Sequence, residues 1–210
     1  MKLLSPFLLL IFLVGCESTY YSAMEKVGYH KREILVDRVE DAQESQQDAQ
    51  QQFTSALEHL KTLTNFDGGD LEVIYDQVND QYKDSKAAAE LVSERIDEVD
   101  SVAEALFDEW QGELEQYQST SLRAESETQL ADTKKRYAAM LKAMRRAESQ
   151  MAPVLSRLND NQLYLKHNLN ARAIGSVGKE FVRLEQEVAD VIQQMSKAIA
   201  ESDKFIATMK

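Results

Sequence analysis

The stretch Ala89-Glu90-Leu91-Val92-Ser93-Glu94-Arg95-Ile96-Asp97-Glu98-Val99-Asp100-Ser101-Val102-Ala103-Glu104-Ala105-Leu106-Phe107-Asp108-Glu109-Trp110 decides the fold. Ala89, Val92, Ile96, Val99, Ala103, Leu106 and Trp110 recur by alternating threes and fours, with acids filling most of the gaps. A strand would need a period of two; this is the 3.5-residue period of a helix that buries one seam against a neighbour. The seam extends backward through Ser85, Tyr82, Val78 and Tyr75 to Leu71, and forward to Glu113 and Tyr117.

The same spacing runs through three other segments. Leu35, Val39, Ala42, Gln46, Ala49, Phe53, Ala56, Leu60 and Leu63 form one, with Gln46 its polar exception. Leu130, Thr133, Tyr137, Met140, Met144, Ala147, Met151, Val154 and Leu158 form another, drifting afterwards through Leu165, Leu169 and Ala173. The last runs Val177, Phe181, Leu184, Val188, Val191, Met195, Ala198, Ser202, Phe205 and Met209. Breakers are few: the 210 residues hold two prolines, Pro6 and Pro153, and seven glycines. The expected fold is all-α, an elongated antiparallel coiled-coil bundle of three to four long helices, because short connections force neighbours to run antiparallel.

Turn chemistry marks the boundaries. Asn65-Phe66-Asp67-Gly68-Gly69-Asp70 tolerates left-handed backbone and ends on a capping Asp. Ser119-Thr120-Ser121 offers caps for the third helix, and Ser126 with Gln129 offers a later start. Gly175-Ser176 is the expected break before the fourth helix. Pro153 should kink the third helix or split it near Gln150, since it lacks an N–H and crowds the preceding turn.

The first residues follow another grammar. Lys2 is followed by an apolar run from Leu3 to Val14, too short to span a bilayer and ending in Leu13-Val14-Gly15-Cys16. This resembles a bacterial lipobox, in which a thiol beside a small residue receives lipid before cleavage. The expected organisation is a cleaved signal at 1–15, an acylated tether at 16–24 carrying Tyr20 and Tyr21, and a single helical coiled-coil domain at 25–210. The alternative is an ordinary secretory signal or short anchor with a chance cysteine. Two or three acyl chains at ~0.8 kcal/mol per buried methylene suffice for stable anchoring. Glu17, by resemblance to known sorting rules, favours the outer membrane facing the periplasm. No cofactor beyond lipid on Cys16 is expected.

The net charge is −12, and −13 once Lys2 leaves with the signal. Such a surface disfavours nucleic acid. The charge is segregated: residues 71–118 carry fourteen acids and three bases, whereas 122–173 carry ten bases and five acids. Lys134, Lys135, Arg136, Lys142, Arg145 and Arg146 either attract the acidic neighbouring helix or form a face for an anionic partner. Lys166, His167, Asn168, Asn170 and Arg172 make a second polar patch, read as a solvated helix end or a small anion or peptide site.

Catalytic signals are lacking. None of His30, His59 and His167 has an acid three residues before it, as di-metal bundles require; His30 with Glu33 is the reverse order. Residues 65–70 lack calcium-loop spacing. Nucleotide and hydrolase motifs do not occur. The expectation is a non-enzymatic envelope lipoprotein acting as a spacer or adaptor, with a protein partner or a homodimer formed through the coiled coil. A module that shapes membranes or binds lipid or anionic polymer is the alternative.

The runs Tyr20–Gly28, His30–Val39, Asn65–Glu72, Ala103–Trp110, Met144–Glu148 and Leu165–Ile174 resemble the bacterial family called domain of unknown function 2959. The resemblance covers essentially the whole mature chain. It implies a Gram-negative lipoprotein with coiled coil, and implies neither an activity nor functional residues.

Overall fold

The computed structural model describes the backbone of residues 30–64, 71–168 and 171–209, and their side chains except at 63, 64, 71 and 171–180. Cys16, the 16–24 tether and the expected 65–70 turn lie outside the described residues. Four helices follow: α1 (Lys31–Thr64), α2 (Leu71–Glu113), α3 (Thr120–His167) and α4 (Ala171–Met209), with a 3-10 turn at Leu114–Gln116. No strand occurs among the described residues. At 1.5 Å per residue, α3 is about 70 Å long.

Each helix packs against its neighbours in chain order, and α4 closes the ring against α1. All four pairs are antiparallel, as the cross-links record. Arg38 reaches Glu98 and Gln52 donates to Gln81 between α1 and α2. Trp110 Nε1 donates to Ser126 Oγ and Gln162 to the Tyr75 hydroxyl, at opposite ends of the α2–α3 seam. Arg157 meets Glu187 between α3 and α4. One clamp repeats between α1 and α4. Gln43 Nε2 donates to Ile199 O at 3.1 Å and Asp203 Oδ1 at 2.8 Å; seven residues on, Gln50 Nε2 donates to Ile192 O and Ser196 Oγ, both at 3.2 Å. Equal seven-residue steps on both helices fix the register of the closing pair.

The core is a continuous file of the seam residues. Val39, Phe53, Ile96, Met140, Met144 and Met195 are fully covered. A second file flanks it: Ile34, Val36, Val102, Phe107 and Ile206 are also buried. A helix in a four-helix ring touches two neighbours, so its apolar face must be wider than a two-stranded seam. Phe107, Tyr137 and Phe205 form an edge-on ladder across α2, α3 and α4, with centroids 5.3 and 6.1 Å apart.

The expected caps at residues 119–121 are borne out, whereas the later start at Ser126, the break at Gly175-Ser176 and a split at Pro153 are not. The third helix starts at Thr120, because Ser119 caps it by accepting from Leu122 N–H. Ser126 is therefore interior, and its hydroxyl serves Trp110 instead. The break before α4 falls after His167, and Gly175-Ser176 lie inside α4. Asn168 ends α3: its N–H bonds Leu165 O and its side-chain amide donates to Tyr164 O at 3.0 Å, satisfying terminal carbonyls. Glycine is a weak helix former, but its cost of ~1 kcal/mol is readily overridden by packing. Pro153 does not split α3, which is continuous through it. The ring sits on the exposed side, while Met151 and Val154 beside it stay buried.

Candidate functional site

The basic residues of α3 separate into two groups. Those turned toward α2 are used within the fold. Arg145 is bound by Asp97 at 2.5 Å, Glu148 at 3.1 Å and Asp100 at 3.8 Å. Burial opposes its charge, but the hydrogen bonds to Asp97 and Glu148 outweigh this and raise its pKa. Glu148 also accepts from Ser93 Oγ at 2.5 Å. Lys134 lies over the Phe107 ring, 5.6 Å from its centroid. For these two, attraction to α2 is the role the geometry assigns.

Lys135, Arg136, Lys142 and Arg146 are exposed. Lys135, Lys142 and Arg146 are spaced by seven and four, so they stack on one outward stripe. The sequence reading missed their neighbours on α4. Lys197 and Lys204, seven apart and both exposed, stand beside that stripe. The antiparallel register of the Arg157–Glu187 pair places Arg146 within one residue of the level of Lys197. Lys204 is paired with Glu201 at 2.6 Å. The signal was hard to find, because α4 as a whole carries both signs in near balance.

The second patch is dispersed. Lys166 and His167 end α3 on exposed positions, and Asn168 is committed to capping. Asn170 lies outside the described residues, as does the Arg172 side chain. The geometry therefore brings together no anion site from the part it describes.

Tyr137 sits where the two kinds of interaction meet. Its hydroxyl donates to Asp100 Oδ1 at 2.6 Å while its ring is buried in the aromatic ladder. Burial, then the bond to Asp100, then the carboxylate charges hold its pKa well above the ordinary 10.0. The folded state therefore keeps the proton that the unfolded chain releases. Stability should be unaffected below pH 10 and fall as pH rises beyond it. Tyr137→Phe should remove this alkaline slope and cost about 1.5–3 kcal/mol at neutral pH, by leaving Asp100 without its donor. Urea titrations between neutral pH and pH 11 test both; an unchanged alkaline slope would refute the assignment.

Among the described residues no three His, Cys, Asp or Glu side chains are grouped to hold a metal, and no helix is long and apolar enough to cross a membrane. The α1–α4 surface has a shallow groove lined by Gln50, Gln51, Thr54, Ser55, Glu58 and Ile192. It is wide open to solvent, unlike the enclosed sites that hold small molecules.

No curated protein and no solved structure matches the chain. A sequence-family match does exist and spans residues 20–209, the whole of the described bundle. The chain belongs to the family described as Protein of unknown function (DUF2959).

Proposed function

We propose that this helical-bundle protein is a non-enzymatic lipoprotein, anchored through Cys16 to the outer membrane of the cell envelope, where its rod serves as a spacer or adaptor. The observation that carries the reading is the sequence Leu13-Val14-Gly15-Cys16 closing an apolar leader, fourteen residues ahead of the first described residue, His30. The geometry of the ends supports it. Arg32 of α1 bonds the carbonyl of Met209, the last residue of α4, so the chain enters and leaves the bundle at one end. The Ser119 turn lies at that end too, with Trp110 and Ser126 beside it. A lipid at Cys16 would hold this end near the bilayer and extend the opposite end away from it. A continuous packed core suits a stiff spacer, and charged outer faces suit docking.

Cys16→Ser, expressed in the native host, tests the reading. The wild-type chain should take up a labelled fatty acid and sediment with outer membranes. The variant should lose the label and appear in the soluble periplasmic fraction. Equal membrane partition of the two would refute anchoring through this residue.

The reading as a lipid- or anionic-polymer-binding module keeps one supporting observation, the exposed stripe Lys135, Lys142 and Arg146. Its residues stand ~20–40 Å from the Ser119 end at 1.5 Å per residue. The Debye length is ~8 Å at physiological salt, so an upright rod would not feel the bilayer there.

A further inference from the structure

The outward stripe of α3 and α4 has a counterpart on the opposite side of the ring. Asp37, Asp41, Glu44 and Asp48 of α1 are spaced by four, three and four, and so share one face. Asp80, Asp84, Leu91, Glu94 and Glu98 of α2 form the matching row, with Leu91 38% exposed. The Arg38–Glu98 pair, with Arg38–Asp41 beside it, shows that the two rows flank the α1–α2 seam. Only Arg38 and Arg95 interrupt these eight acids, and each is already bonded to one of them.

The two faces are also level. Arg38 with Glu98 aligns Asp37 and Asp41 with Glu98 and Glu94 across α1 and α2. Arg145 with Asp97 then aligns this height with the Lys142–Arg146 part of α3. One side of the rod is thus acidic at the height where the other side is basic. A second copy of this chain offers a row of acids at the same height, in the same length and direction.

We propose that the basic α3–α4 face docks the acidic α1–α2 face of a second copy, setting parallel rods side by side in register. The two faces differ, so the contact is heterologous and does not close: each added copy presents the next free face. All copies keep their N-termini at the same end, which is the arrangement that a surface carrying every anchor permits. Exposed ion pairs are individually weak, so the association is weak in solution and strongly weakened by salt. The inference is independent of lipid on Cys16, because Cys16→Ser alters membrane partition and leaves both faces intact.

The test uses the full chain in non-ionic detergent micelles, followed by sedimentation velocity. One variant carries Lys142→Glu, Arg146→Glu and Lys197→Glu; the other carries Asp37→Lys, Glu44→Lys and Glu94→Lys. At ~10 mM salt, where the Debye length is ~30 Å, the wild-type chain should form species larger than one copy that dissociate at ~150 mM. Each variant alone should associate at least tenfold more weakly, and mixing the two should restore association. Circular dichroism matching the wild type establishes that both variants fold. A wild-type chain monomeric at ~10 mM salt overturns the proposal, as does a mixture no more associated than its components. Loss on reversing the basic face alone, with no effect of reversing the acidic face, also overturns it and shows that the stripe meets some other surface of the second copy.

Discussion

Phe205→Ala should destabilise the bundle by about 3–5 kcal/mol, the range for truncating a large buried aromatic. The Phe205 side chain is 1% exposed on α4, in the ring of four helices near the end where the chain enters and leaves. Its ring meets Tyr137 of α3 edge-on, and Tyr137 meets Phe107 of α2 likewise. Three helices thus converge on one ladder, so deleting the outer ring leaves a cavity that no single helix can close by shifting. Tyr137 is held in place by Asp100 and cannot swing across to fill it. The α1–α4 clamps at Gln43 and Gln50 resist sliding of α4. Urea unfolding followed by helical dichroism measures the loss. A cost below about 1 kcal/mol would mean that the ladder is not packed as described.

The opposite sign is expected at Gln46→Met, which should raise stability by about 2–4 kcal/mol. Gln46 is fully buried, and neither its amide nitrogen nor its amide oxygen has a hydrogen-bond partner among the described residues. An unsatisfied buried polar group costs ~1–3 kcal/mol, and Gln46 carries two. Methionine keeps the unbranched shape and adapts to the same space without the amide. At ~2–4 °C per kcal/mol for a domain of this size, the melting midpoint should rise by about 4–16 °C. A fall in stability would show that the amide is satisfied after all. Ser85 of α2 lies within about one turn of the same level, and its hydroxyl likewise has no partner. Polar residues at seam positions fix register at a cost in stability. The Gln46→Met bundle should accordingly be more stable and less specific, which amide exchange along α1 would report as altered protection around Ala42 and Ala49.

The seam positions were legible because burial in a helical bundle is written locally. From Leu35 to Leu60, from Val78 to Leu106, from Leu130 to Leu158 and from Leu184 to Met209, almost every residue on the alternating three-four spacing is covered. Gln46, Ser85 and Ser202 are covered too, although polar, because position on the helix rather than side-chain chemistry decides which face turns inward. The helix ends were less legible. Gly175-Ser176 carried the stronger breaker signal, yet α4 runs through it, while Asn168 ended α3 by bonding its own last turn. A glycine permits a break without requiring one.

The sequence by itself determined that the chain forms long helices with one buried seam each, joined by short turns, and that its acids and bases are unevenly shared. A repeat of seven residues carries that information within each segment. Only the tertiary structure decided which helix lies beside which, and hence that α4 closes on α1, that Arg145 is spent on α2 while Lys142 and Arg146 point outward, and that Lys197 joins them. The reason is that a flank's partner depends on the rotation and register of a different helix, and no spacing within one segment records either.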